Sequence, residues 1–415
     1  MNRSLVIAVL VLMAVSMAQA AHADARGRIY GRVTTVDGET YEGMIRWDTN
    51  EASWIDILDG IKKLDEPRYR HRTVERDRIK KIRVLGIDIG SVKTTIDWDY
   101  TSATSGTAFG HIQRLEAIDD DVALIVFKSG QRVELSSNST DIGGSIRDIV
   151  IEDRSQGEIE LDWDDLDSIE FLSAPHGLQS SFGDRLYGTA VSRKGDTFTG
   201  WICWDMDEVA AEDILDGDYR DRSRKIPFGR IASIERRNSS SARITLRNGD
   251  EIVLRDSNDV DEGNRGITVF VRNLGRVVID WDEFDRLDFK EPEAPATYDD
   301  FDGGRPIVGT VYAENGESYT GRIRWDDDEE YTWELLDGEL HGIEIDVEFG
   351  NISVIRRDGC CASLVTLADG TELRLSGTND VDDGNKGIFI IQDDDEENVV
   401  GIVWEQFDRL EIRGR

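Results

Sequence analysis

"ETYEGMIRWDTNEASWIDILDG" runs from Glu39 to Gly60. Nearly the same string returns as "DTFTGWICWDMDEVAAEDILDG" (Asp196 to Gly217) and as "ESYTGRIRWDDDEEYTWELLDG" (Glu317 to Gly338). With Gly31, Gly188 and Gly309 in register, the next 30 positions align without a gap. Ten positions are identical in all three copies, among them Gly43, Trp47, Asp48, Glu51 and the Leu58-Asp59-Gly60 triplet. Chance would give far fewer, so the chain carries an internal duplication. Within each string apolar and polar residues alternate, which is the period of a half-buried strand. Tyr41, Gly43, Ile45 and Trp47 fall on one face, and Glu42, Met44, Arg46 and Asp48 on the other. The recurring Trp is therefore expected in a core. Gly43 and its equivalents are expected where a strand bends or another backbone passes close. The Leu-Asp-Gly triplet reads as a turn after the third strand.

Each copy has a second half on the same plan. Strand, tight turn and strand open every half, with turns at Asp37-Gly38, Ser129-Gly130, Lys194-Gly195, Asn248-Gly249, Asn315-Gly316 and Asp369-Gly370. Glycine supplies the positive φ that such hairpins need. Each half closes on an aromatic followed by apolar residues at three-residue steps, as in Phe228, Ile231, Ile234 and Trp281, Phe284, Leu287. That spacing predicts a short 3₁₀ turn leading into a last strand.

The predicted fold is all-β: three tandem repeats, each a pair of units of about 50 residues. The repeats cover 24–172, 185–289 and 307–415, joined by linkers at 173–184 and 290–306 that hold four of the six prolines. The first repeat carries an insertion of 38 residues near 61–108. Gly60 to Gly110 spans 50 residues there, against 12 for Gly217 to Gly229 and for Gly338 to Gly350.

"DGETYEGMIRWD" resembles the first motif of Sm-like proteins, with paired glycines five apart and an aspartate after the next strand. "FGRIASI" is loosely similar to the second Sm motif. The resemblance implies small SH3-like or Sm-like barrels of about 50 residues per unit. It does not carry RNA binding with it. Where the Sm pattern expects its RNA-contacting asparagine, this chain has Ala52, Val209 and Glu330.

Residues 1–23 read as a secretory signal peptide: Arg3, then an apolar run from Leu5 to Met17, then A-x-A patterns. The expected location is the periplasm or the extracellular space. No later apolar stretch approaches the length of a membrane-spanning helix. Formal charge is -36, from 49 basic and 85 acidic residues. Such a surface repels nucleic acid and favours cations or basic partners. Three cysteines, Cys203, Cys360 and Cys361, are too few for a disulfide framework.

Two clusters invite chemistry. The loops "NDVDEGNRGI" and "NDVDDGNKGI" offer Asp259, Asp261 and Asn264, and Asp380, Asp382 and Asn385, as calcium ligands around a turn glycine. Calcium is the one cofactor the sequence suggests. The alternative is an Asx-type loop that satisfies its own backbone. Carboxylates three apart, at Asp48/Glu51, Asp205/Glu208 and Asp326/Glu329, form a second acidic set. A metal-ligand pair, an acid/base pair and a solvated turn are all open there.

From Lys62 to Arg83 the chain has 10 Lys/Arg and 4 acids. Arg68, Arg70, Arg72, Arg76, Arg78, Lys80 and Lys81 make it either a patch for an anionic partner or an internal counter-charge. No catalytic residue is assigned, because no histidine repeats and no nucleophile motif occurs. The sequence therefore predicts an exported, non-catalytic binding or scaffolding protein for a protein, polysaccharide or cation partner. The alternatives are a calcium-stabilised adhesion-like module and a carboxylate-dependent glycan hydrolase.

Overall fold

The computed structural model describes residues 25–64, 78–84, 87–94, 102–137, 139–395 and 398–414, with backbone only for 78–84 and 87–94. The structure is all-β, 54% strand, and no helix of seven residues or more occurs among the described residues. It forms two large antiparallel sheets, of ten and twenty strands, and a small hairpin of Arg78–Val84 with Ile87–Thr94.

The segment from 187 to 289 shows the logic. Its first half supplies Tyr187–Ser192, Thr197–Trp204, Ile214–Asp218, Ser223–Pro227 and Ile231–Asn238. Its second half supplies Ser241–Leu246, Glu251–Arg255, Ile267–Val271, Gly275–Ile279 and Phe284–Phe289. In each half the first strand pairs with the second, and the third with the fourth. The remaining pairings cross between halves. Each first strand takes the fifth strand of the other half. Each second strand takes the third strand of the other half. The two fifth strands pair with each other. The same nine pairings recur between 30 and 171. They recur again between 308 and 412.

Among the described residues no closed barrel is seen, and in place of the expected pairs of small barrels the halves share their strands. A 50-residue unit alone buries little surface and is marginal. Exchanging strands gives two halves one larger core. Gly275–Ile279 then pairs with Ile343–Glu348, which fuses the second and third segments into one sheet over a common core.

Local expectations fare unevenly. The 3₁₀ turns occur at Phe109–His111, Phe228–Arg230 and Phe349–Asn351, and in second halves at Trp163–Asp165 and Trp404–Gln406, but the expected one at Trp281 is an ordinary turn. Trp47, Trp204 and Trp325 are fully buried. The Leu-Asp-Gly triplet is not a turn: it lies inside the strands Ile57–Lys63, Ile214–Asp218 and Leu335–Leu340. Its glycine makes room there, because a Cβ on Gly217 would stand 2.9 Å from Leu254 Cβ. Residues 290–306 are less a spacer than a strap. The Tyr298 hydroxyl donates to the Ile112 carbonyl at 2.9 Å, and a Cβ on Gly110 would strike the Phe301 ring.

Gly43, Gly200 and Gly321 sit where second and third strands cross between halves. A Cβ on Gly200 would lie 2.2 Å from the Phe270 carbonyl oxygen, too close for any side chain. Gly200→Ala is expected to destabilise the chain by about 2 kcal/mol or more through overpacking. Urea unfolding of the variant beside the parent measures it.

Candidate functional site

The site begins at a tight turn. After Trp47 the backbone enters the left-handed region for two residues, Asp48 (φ 43°) and Thr49 (φ 65°). The equivalents are Asp205 and Met206 at 50° and 56°, and Asp326 and Asp327 at 47° and 70°. Two successive left-handed residues make the primed turn that hairpins favour, and aspartate tolerates it better than most residues. The turn returns Glu51 to face Trp47, as it returns Glu208 to Trp204 and Glu329 to Trp325.

The second half brings its loop to the same place. The Trp47 indole N–H donates to the Asp141 carbonyl at 2.9 Å, Trp204 to Asp259 at 3.0 Å, and Trp325 to Asp380 at 3.0 Å. Each of these loop aspartates accepts a backbone N–H from the triplet strand: Asp141 from Asp59, Asp259 from Asp216, Asp380 from Asp337. The two acidic sets of the sequence thus meet. Asp48, Glu51 and Asp141 have carboxylate oxygens within 4.8 Å of one another, as do Asp205, Glu208 and Asp259.

A cation from the second half closes each cluster. Arg147 donates its backbone N–H, at 2.6 Å, and its guanidinium to Asp48. Arg265 does the same for Asp205. Lys386 places its ammonium 3.2 Å from Asp326 and 3.6 Å from Asp328. Asp205 and Asp326 also accept from Asn258 and Asn379.

The other predicted calcium ligands turn away. Asp261 Oδ1 accepts the Gly263 N–H at 2.8 Å, and Asn264 Oδ1 accepts that of Gly266 at 3.0 Å. Asp382 and Asn385 repeat those bonds with Gly384 and Gly387. These are Asx-type loops. Of the basic patch, Arg68, Arg70, Arg72 and Arg76 lie outside the described residues. Arg78, Lys80 and Lys81 lie on the strand Arg78–Val84. Lys62, where the basic stretch begins, is a counter-charge: its ammonium is buried against Glu334 of the third segment.

Lys62 belongs to a wider pattern that sequence reading missed. Asp56, Asp213 and Glu334 are equivalent positions. Asp56 and Asp213 each cap two backbone N–H groups of their own turn. Glu334 does likewise. Each also grips a cation from another segment: Arg185 on Asp56 at 2.6 Å, Arg46 on Asp213 at 3.0 Å, and Lys62 on Glu334. Recurrence of an acid at this position was the available signal.

At the centre Arg276 joins all three segments. It rises from the second, bonds Asp59 of the first, and donates through Nε to Asp346 of the third at 2.7 Å. Burial works to lower its pKa, but the two carboxylates outweigh it and hold the pKa well above the ordinary value. Around it lies a cavity of about 730 Å³ lined by all three segments. Nine lining side chains are carboxylates and four are Lys or Arg. The four cations, Lys62, Arg147, Arg265 and Arg276, are each already paired with an acid. Ile57, Phe270 and Leu335 give it apolar walls. Burial and neighbouring acids raise the carboxyl pKa of Asp141 to about 7 and of Asp337 to about 7.

No family model, no curated protein and no solved structure matches the chain.

Two outcomes follow. Arg276→Met leaves Asp59 and Asp346 facing each other without their cation. It is expected to cost about 3 kcal/mol in denaturant unfolding, as for other broken ion pairs away from solvent. The second concerns pH. Burial and Asp259 push Glu208 up to about 9, and burial pushes Asp259 up to about 6. Unfolded carboxyls titrate near 4. Above that pH the folded chain holds protons that the unfolded chain has lost, so these groups destabilise the fold progressively as pH rises toward their folded values. In EDTA the melting midpoint should be higher at pH 5.5 than at pH 8. Glu208→Gln should raise the pH 8 midpoint and flatten the slope.

Proposed function

We propose that this chain is an exported, non-catalytic binding protein. It is built of three tandem modules, each a pair of SH3-like halves, and its central cavity takes a small organic cation. The observation that carries this reading is the imbalance of ionisable groups in the cavity: nine carboxyl groups, Asp141 and Asp337 among them ionising only near neutral pH, against four cations that are already paired. An acidic, partly apolar hollow of this size suits a compact ligand with ammonium groups on a short hydrocarbon frame. Export is supported by the amino-terminal sequence pattern. A Cys360–Cys361 disulfide is in keeping with an oxidising compartment.

The hydrolase reading finds less support. Asp205 and Asp326 are fully buried, and their oxygens accept from Arg265 and Asn258, and from Lys386 and Asn379. A general acid or base needs a lone pair or proton that the substrate can reach.

The probe is 1,4-diaminobutane in isothermal titration. Asp141 and Asp337, each near 7, are about one-tenth ionised at pH 6 and nine-tenths at pH 8. A cation binds the ionised form, so each carboxylate contributes about tenfold to affinity from pH 6 to pH 8, about a hundredfold for a diammonium ligand held by both, with proton release on binding. Asp337→Asn should weaken binding at pH 8 about tenfold. Absence of binding at both pH values, or tighter binding at pH 6, contradicts the reading.

A further inference from the structure

One group in each cluster has no role in the fold described so far. The Glu51 side chain is only 6% exposed, its Oε2 has no hydrogen-bond partner, and it faces Asp48 and Asp141. At the equivalent position Glu208, whose side chain is part-buried, Oε2 is also unpartnered beside Asp205 and Asp259. A buried carboxylate oxygen normally finds a donor, because leaving it bare costs free energy. Every other acid in the two clusters has one. Asp48 takes Arg147 and Thr140, Asp205 takes Arg265 and Asn258, and Asp141 and Asp259 each take a backbone N–H.

The unmet demand is for positive charge. When all three carboxyls are ionised, the one guanidinium leaves two negative charges in each cluster that only protons or a bound cation can offset. The gathered oxygens lie within 4.8 Å of one another. Calcium accepts several carboxylates in a flexible geometry, whereas magnesium demands near-ideal octahedral coordination and keeps several of its waters, so three carboxylates fixed by the fold suit calcium. Carboxylate oxygens are the hard ligands calcium prefers. In the third module Glu329 Oε2 is unpartnered as well, but its acids are not gathered to that distance, and the Lys386 ammonium stands within 3.6 Å of both Asp326 and Asp328.

We propose that the chain binds two calcium ions, one at Asp48, Glu51 and Asp141 and one at Asp205, Glu208 and Asp259. The sites lie where the two halves of a module meet. Each ion therefore links the turn of one half to the loop of the other and acts as a staple across the exchanged strands. Of the ligands the sequence suggests, this set keeps Asp259 and leaves out Asp261 and Asn264, which bond their own loop. The first site borders the cavity through Glu51 and Asp141, whereas Asp205, Glu208 and Asp259 lie outside its lining, so the second site stands apart from the cavity's taking an organic cation.

The test is Tb³⁺ luminescence on the full chain, sensitised by Trp47 and Trp204, with Ca²⁺ as competitor. Two equivalents should light up and be displaced by Ca²⁺ at least tenfold more effectively than by Mg²⁺. Glu51→Gln should remove one equivalent and Glu208→Gln the other, while Asp261→Asn keeps both. Saturating 1,4-diaminobutane should leave the Glu208 site filled. If Glu51→Gln does not fold, Glu208→Gln alone decides, because its loss of one equivalent is still required. No sensitised emission, emission that Ca²⁺ does not displace, or two equivalents surviving in Glu208→Gln overturns the proposal.

Discussion

Strand exchange between halves is the constraint on which the rest of this structure depends. In the second segment Tyr187–Ser192 takes Phe284–Phe289 as its neighbour, and Ile231–Asn238 takes Ser241–Leu246. Neither half can satisfy its first and fifth strands without the other. The exchange also brings the second strand of one half beside the third strand of the other, with a glycine at the crossing. From that crossing follows the meeting of the Trp turn with the aspartate loop. The acidic clusters, their closing cations and the indole-to-carbonyl bonds all sit on this one junction.

A second layer of order is electrostatic. Isolated ion pairs on a surface contribute little. Here the pairs are partly or wholly withdrawn from water and lie between segments: Arg185 with Asp56, Arg46 with Asp213, Lys62 with Glu334, Arg276 with Asp59 and Asp346. Removing one partner from such a pair leaves a charge without compensation. The same three-module junction concentrates carboxylates that nothing in the fold neutralises. Raised carboxyl pKa values and unpartnered glutamate oxygens are two signs of that single excess. A cation, organic in the cavity or divalent in the clusters, relieves it.

Much of the local structure was legible in the sequence. Alternation placed Trp47 and its equivalents in the core, glycine turns placed the hairpins, and three-residue steps placed the 3₁₀ turns. Strand exchange was not legible, because alternation is the same whether a strand pairs within its half or across to the other. The Leu-Asp-Gly triplet misled for a related reason. Its glycine serves a close approach inside a strand, and composition alone does not separate that from a turn. The two acidic sets were both visible, yet their convergence depends on a pairing between residues some 50 positions apart or more. Asp261 and Asn264 looked like ligands on spacing, but short side chains beside glycine bond their own backbone first.

The central claim is that the halves of a module share one core and open together. Native-state hydrogen exchange read by mass spectrometry tests it most directly. Amides of Ile231–Asn238 and Phe284–Phe289 should be equally protected and should exchange through one common opening as denaturant is added. Exchange of 187–238 through an opening that leaves 241–289 protected would mean two self-contained units, and would contradict the account.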